Sequence, residues 1–253
     1  MGLTPSQIPC VLILSYCTRV KLPNKTTERK FFKSGYGHII AIDEVGMGCL
    51  AGPVVVCAVL VDKKFISQNH RTLLGLKESK LLNKKQREYF SGELKRLGIK
   101  YQIGFSYPKT IDRLNIHNAT QRAMRKTVLK LGKGWRSSGT PKRAGHPSIW
   151  GRTPTGPRRR IMILIDGNKK INNLDFEQQA IVKGDRKVLS IACASIIAKV
   201  FRDNMMERYA KKYPGYGLEK HMGYGTRYHF AQLLRLGPSA IHRKSFEPVA
   251  KLL

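Results

Sequence analysis

Two kinds of apolar run alternate along this chain. The short ones, "HIIAIDE" (38–44), "VVVCAVLVD" (54–62) and "RIMILID" (160–166), are β-branched, almost unbroken and stop at acids. Strands buried on both faces read this way. "GMGCLAGP" separates the first two, a turn region that predicts a hairpin. "IKYQIGFSYP" (99–108) alternates as a third strand, ended by Pro108. The longer runs have helical spacing. A helix is expected from about Asn83, with Leu94 and Leu97 on its apolar face and Gly98 at its stop. Residues 109–132 carry Ile111, Leu114, Ile116, Ala119, Ala123 and Val128 on one helical face. Residues 189–213 read as a long helix lined by Ile191, Ala194, Ile197 and Phe201, and a short helix is expected around Tyr228–Leu236. "NNLDFEQQAIVKGD" (172–185) reads as a connection, and no internal repeat is present. This order predicts an α/β fold: a sheet core flanked by helices, with a small C-terminal helical extension. The expected divisions are an N-terminal extension over 1–36, partly disordered or built as an added strand with a basic linker, a core over 37–203 and the extension over 204–253.

Composition adds a partner. The 253 residues are 42% hydrophobic, enough for a packed core, but 47 lysines and arginines face only 16 acids, a formal charge of +31. That balance predicts an anionic partner, above all nucleic acid, although a ribosome-associated or membrane-surface protein would share it. The stretch 132–160 is rich in Gly, Pro, Ser and Arg and holds no acid, so it is expected to be an exposed, poorly ordered basic insertion. It should tether phosphate. Deleting 136–157 should weaken nucleic-acid binding and flatten its salt dependence. An unchanged salt slope would defeat the tether. The five cysteines show no close metal-ligand spacing, and "VLILSYC" is too short to span a membrane. These features predict a soluble, cytoplasmic protein with no membrane partner, acting as a monomer.

Against that charge the few acids are conspicuous. "IIAIDE" and "IMILID" deliver Asp43, Glu44 and Asp166 to the ends of apolar strands, where sheets commonly place ligands. Asp185 follows Gly184 just before the long helix, a position open either to a helix cap or to a site. Asp203 is the competing acid. It lies eighteen residues beyond Asp185, about 27 Å along a continuous helix, so both cannot serve one compact site. Like charges brought together need a counter-cation. Hard oxygen ligands without a His/Cys set suit Mg2+ or Mn2+, and paired ions of this kind serve in-line phosphodiester hydrolysis.

"IDEVGMGCLAGPVVVCAV", "GLKESKLL", "LIDGN", "VKGDRKVLSIACASIIAKVFRD", "YPGYGLEKHMGYGT" and "GPSAIHRKSFEPV" occur in this order over about 38–249. Together they resemble ribonuclease HII, the type 2 ribonuclease H family. The resemblance implies a ribonuclease H-like mixed sheet, with Asp43, Glu44, Asp166 and Asp185 as catalytic metal ligands for Mg2+ or Mn2+, two ions when substrate is bound. It also implies an endonuclease for RNA/DNA hybrids that cuts 5′ of ribonucleotides embedded in duplex DNA, leaving 3′-hydroxyl and 5′-phosphate. Gly46, Met47 and Gly48 stand where the family reads the 2′-hydroxyl with Gly-Arg-Gly; methionine supplies no cation. Glu78 stands where the family usually has aspartate. Ser79 and Lys80 are implied phosphate contacts, Tyr224 packs against the following deoxyribose, and Lys199 and Arg243 join the substrate side. His221, His242 and Lys244 are rim candidates, and Tyr216 is structural. Ribonuclease HIII would be expected to carry a platform domain ahead of the core. The reading from another class is a non-catalytic basic nucleic-acid-binding or ribosome-associated protein, which leaves the acids at the strand ends unexplained.

Overall fold

The apolar run before the acid pair forms strand β1 (Tyr36–Val45), and the run after the glycine turn forms β2 (Val54–Asp62), paired antiparallel with it from His38↔Asp62 to Val45↔Val55. This is a computed structural model that describes residues 22–69, 72–73, 75–133 and 160–253. β3 (Lys100–Ser106) adds antiparallel to β2, and β4 (Arg160–Asp166) lies parallel to β1 with Ile42 opposite Ile165. A further strand, β5 (Glu177–Ile181), pairs parallel with β4, giving the order β3-β2-β1-β4-β5. β5 falls in the segment read as a connection. Its sequence, EQQAI, is polar because it is an edge strand, and only pairing with β4 reveals it.

The wholly apolar strands have a simple cause. Ile39, Ala41, Cys57, Val59 and Leu164 face one core, while Ile40, Ile42, Val56, Ala58, Ile163 and Ile165 face a second. Successive side chains point to opposite faces, so a strand covered on both sides has no polar positions.

Helix α1 (Thr26–Lys33) occupies part of the stretch expected to be an added strand and linker; residues 1–21 lie outside the described residues. Its fully buried Glu28 accepts the Ser190 amide at 2.8 Å. α2 (Lys63–Gln68) follows β2, and α3 (Lys84–Arg96) starts at the expected cap: Asn83 accepts from the Gln86 amide and Gln86 returns the bond. The single helix expected over 109–132 is two, α4 (Pro108–Leu114) and α5 (Ile116–Lys133), broken at Asn115 with φ +62°. Asparagine tolerates that left-handed conformation and caps α5 through the Asn118 amide. The insertion read over 132–160 overlaps the end of α5 and the start of β4, and its residues 134–159 lie outside the described ones.

Beyond β5 come the short α6 (Gly184–Lys187) and the 24-residue α7 (Leu189–Lys212). Ile191, Ala194 and Ile197 of α7 join the first core, and α5 covers the opposite face through Ala123 and Val128. α7 runs through the 203/204 boundary, so core and extension share one helix without a linker. α8 (Leu218–His221), α9 (Arg227–Leu236) and α10 (Glu247–Ala250) complete the extension around Leu50, Met206, Leu218 and Leu233. Among the described residues no helix is long and apolar enough to cross a membrane.

Candidate active site

Parallel pairing of β1 and β4 puts Asp43 one step past Ile42 and Asp166 one step past its partner Ile165, at the same end of two adjacent strands. The Gly184 amide donates to Asp166 Oδ1 at 2.6 Å, which ties α6, and with it Asp185, to the end of β4. Glu44 follows Asp43, whose Oδ1 accepts the Glu44 amide at 2.8 Å. Three separated segments thus bring four acids together.

Their electrostatics record the crowding. Burial, then the charges of Glu44 and Asp166, push the Asp43 carboxyl well above the usual carboxylate range, against a Ser195 hydrogen bond and with Asp185 adding to the rise. Burial and then Asp166 raise Glu44 to about 7, with Lys80 opposing. Burial, Asp166 and Glu78 raise Asp185, while Lys80 and Arg186 pull it down. Glu44 Oε2 is buried without a hydrogen-bond partner among the described residues. Buried like charges and an orphaned carboxylate oxygen fit a hard cation bound by oxygen. Among the described residues no three His, Cys, Asp or Glu side chains form a ready-made cage for one ion. Magnesium commonly takes one or two carboxylates and completes its shell with water and substrate phosphate.

The turn beside the acids is shaped from behind. Gly46 has φ +92°, and a β-carbon there would overlap the Arg202 guanidinium. Gly48 is exposed with open space around it. Met47 turns inward, packing with Val54, Ile111 and Ala119 and accepting the Thr120 hydroxyl on Sδ at 3.0 Å. Tyr224 is 39% exposed, and its backbone bridges Cys49 at the end of the turn. Lys80 is exposed and close enough to Glu44 and Asp185 to lower both.

Other expected contacts lie elsewhere. Arg243, read as substrate-facing, is fully buried: it donates to the carbonyls of Gly52 (3.0 Å), Met47 (2.7 Å) and Gly46 (2.6 Å). All three guanidinium nitrogens are engaged by backbone carbonyls, and the side chain is out of contact with solvent. Lys199 is half-buried and paired to Asp203 at 2.8 Å, with Arg87 on the other oxygen at 3.5 Å. Asp203 is therefore a neutralised acid, paired on both of its oxygens. Ser79 is buried, its hydroxyl 3.0 Å from that of Ser195. His221 and His242 are buried rather than rim groups. Tyr216 is structural as expected, its hydroxyl donating to Gly237 at 2.7 Å. Glu78 is buried against Arg186 at 2.5 Å, beside Asp185.

Three participants escaped the sequence reading: Ser195 beneath Asp43, Arg186 beside Asp185, and Arg202 behind the turn. Ser195 left one signal, a hydroxyl inside the otherwise apolar "IACASIIA".

A five-stranded mixed sheet flanked by helices, with acids at the ends of its adjacent parallel strands, defines a ribonuclease H-like protein. The family model for ribonuclease HII matches residues 40–135 and 157–249. The chain belongs to the ribonuclease HII family, and with it to the nucleases that act on RNA/DNA hybrids. It is 41% identical over 219 residues to a ribonuclease HII of Caldicellulosiruptor bescii, covering 87% of this chain and 91% of that one. Among solved structures, ribonuclease HII in its complex with PCNA from Archaeoglobus fulgidus matches with a TM-score of 0.62 at 22% identity, over 85% of this chain and 96% of that one. Bst-RNase HIII in complex with Mn2+ matches with a TM-score of 0.59 at 19% identity, over 86% and 70% of the two chains.

Proposed function

We propose that this protein hydrolyses the RNA strand of RNA/DNA hybrids and also cuts duplex DNA on the 5′ side of an embedded ribonucleotide, leaving a 3′-hydroxyl and a 5′-phosphate. The observation that carries the reading is the group of four acids beside the Gly46–Gly48 turn, three with carboxyls raised by burial and by one another. Such a group is unfavourable in isolation and suited to holding divalent cations. Asp43, Glu44, Asp166 and Asp185 would hold two Mg2+ or Mn2+ ions. Bound there, the ions supply water of lowered pKa and positive charge against the phosphate. The fold's likeness to a protein solved with Mn2+ supports that choice.

The chain's own groups do the rest. Ser195 hydrogen-bonds Asp43 and restrains its carboxylate. Lys80 is an exposed cation beside the acids, not paired to Glu78 as Arg186 is, and the candidate to steady a phosphate oxygen. Arg243 takes the Gly46 and Met47 carbonyls inward, and among the described residues the Met47 and Gly48 amides make no hydrogen bond. Those amides are free to meet a 2′-hydroxyl, and the missing Gly48 side chain allows the approach. Tyr224 offers a sugar-packing face that tolerates any base.

The deciding experiment is cleavage of three matched duplexes: all DNA, a continuous RNA strand on DNA, and DNA with one ribonucleotide. Cutting is expected in the last two only, to vanish with chelator and return with Mg2+ or Mn2+. No cut in either ribonucleotide-containing duplex would favour a binding protein without turnover.

Met47 supplies a graded test. Arginine there should add a charge-assisted phosphate contact of about 1.5–3 kcal/mol before ordering costs. It forfeits the packing on Val54, Ile111 and Ala119, so Tm should fall. For Met47→Arg, kcat/KM should rise more on the single ribonucleotide than on continuous RNA, where other sugars already contribute. An equal or larger gain on continuous RNA would defeat this reading.

A further inference from the structure

The two elements proposed to read the ribonucleotide, the Gly46–Gly48 turn and Tyr224, lie far apart in sequence, and one dipeptide touches the supports of both. Residues 49–52 are stitched between two segments of the extension. On one side Leu50 donates to the Gly223 carbonyl at 2.8 Å and Cys49 bridges Tyr224. On the other, Gly52 donates to Ile241 at 2.8 Å, Arg243 donates to Leu50 at 2.8 Å, and Ala51 bridges His242. The Arg243 guanidinium then spans the turn, binding the carbonyls of Gly46, Met47 and Gly52.

His242 works toward Tyr224 through a second imidazole. Its Nδ1 accepts from the Ser239 amide at 3.0 Å, so its proton sits on Nε2. That Nε2 lies 3.1 Å from His229 Nε2, which must accept, leaving His229 Nδ1 to donate to the Tyr224 carbonyl at 2.9 Å. His221 stacks on His229 with ring centroids 4.3 Å apart, accepts the Gly223 amide on Nδ1 and donates to Tyr216. His229 and His242 are fully buried or nearly so, and burial lowers both to about 4, so the relay is neutral and its direction is set. All four rings sit inside the extension, since Tyr216 lies against His242 at 4.9 Å. None of these imidazoles belongs to the acid cluster.

We propose that His242 and Arg243 are positioning residues that set the spacing between the 2′-hydroxyl-reading turn and Tyr224, and so determine selectivity for a lone ribonucleotide junction. Arg243 fixes the turn through its carbonyls; His242, through His229, fixes the backbone of Tyr224. The role rests on the ribonucleotide-reading function proposed above. A single junction needs both elements in one spatial relation at one step. A continuous RNA strand presents a 2′-hydroxyl at every step and tolerates displacement of either.

The test compares single-turnover kcat/KM on the single-ribonucleotide and continuous-RNA duplexes for the native protein, His242→Leu, His242→Gln and Arg243→Lys. Leucine ends the relay, and lysine keeps the charge but lacks the planar fork that spans three carbonyls. Glutamine keeps an N–H donor near the Nε2 position. His242→Leu and Arg243→Lys are expected to lose at least about tenfold more activity on the single ribonucleotide than on continuous RNA, the scale of a small misplacement near a reacting centre. His242→Gln should recover most of the lost ratio. An unchanged ratio in the two damaging variants, or losses on both substrates that simply follow Tm, overturns the role. Should a damaging variant not fold, the glutamine variant and the native tautomers decide. Long-range 1H–15N spectra should find the proton on Nε2 of His242 and Nδ1 of His229; the opposite tautomer in either ring overturns the relay. A native protein that cuts neither duplex overturns the function itself, and this role with it, whereas native cutting with unchanged variant ratios removes this role alone.

Discussion

Asp43→Asn is expected to abolish cleavage, leave duplex binding intact or slightly tighter, and raise the stability of the metal-free protein at alkaline pH. Each effect has a separate cause. Asparagine is a poor ligand for a hard cation, so activity is lost. It removes a negative charge from the place where phosphate must lie, so binding does not suffer. It retains the Oδ1 acceptor for the Glu44 amide, so local geometry is kept. The stability effect follows from the direction of the shifts. Asp43, Glu44 and Asp185 have folded-state carboxyls raised above their ordinary values. The folded protein therefore holds more protons than the unfolded chain between the two values, and stability falls as pH rises through that window. Below the ordinary carboxylate range the groups are neutral in both states and cost nothing. For Glu44 the rise from 4.5 to about 7 corresponds to roughly 3 kcal/mol once pH exceeds the folded value. Thermal melts in chelator should show the variant's advantage growing from acid to alkaline pH, and Mg2+ should shrink it by stabilising the native protein. Native metal affinity should itself increase as pH passes about 7, where Glu44 must shed its proton. A variant less stable than the native protein at alkaline pH without metal, or one that loses duplex binding together with cleavage, would remove the cation-holding role of Asp43.

Arg202→Leu should be the most destabilising single change at the turn. Arg202 is fully buried and donates to the carbonyls of Pro53 (3.1 Å), Met222 (2.9 Å) and Ala51 (3.2 Å). Its side chain also lies against Gly46 and Gly52, where added β-carbons would strike Arg202 or its neighbour Met206. Leucine fills part of the volume but leaves three carbonyls without donors. At the usual cost of an unsatisfied buried polar group the three sum to roughly 3–9 kcal/mol, or a fall in Tm of at least about 6 °C for a chain of this size. Cleavage should fall with it, because the same carbonyls hold the loop next to the acids. Arg202→Lys should recover little, since one ammonium cannot span the three acceptors. Measured Tm within a few degrees of native for Arg202→Leu would show that the carbonyls find other partners.

Two-sided burial made β1, β2 and β4 legible as continuous apolar runs, and the acids that interrupt those runs stood out for the same reason. The Asn83 cap and the Gly98 stop were legible because capping is local chemistry. The break at Asn115 was missed because apolar spacing runs across it, and only a left-handed residue interrupts the bonds. β5 was missed because an edge strand needs no apolar pattern of its own. Arg243, Lys199 and His242 show the same limit at the site. A basic or imidazole side chain in sequence carries no mark of whether it meets water, an acid or a carbonyl. Arg243 reaches Gly46 across 197 positions of sequence, and the return of the chain decides that contact.

The sequence by itself therefore determined the strands that end in acids and the glycine turn that follows the first of them. These depend on residue type and local periodicity. Only the tertiary structure decided which cations stay exposed and which are spent on backbone carbonyls, because burying a guanidinium requires acceptors brought from elsewhere in the chain, and their convergence is a property of the packed fold.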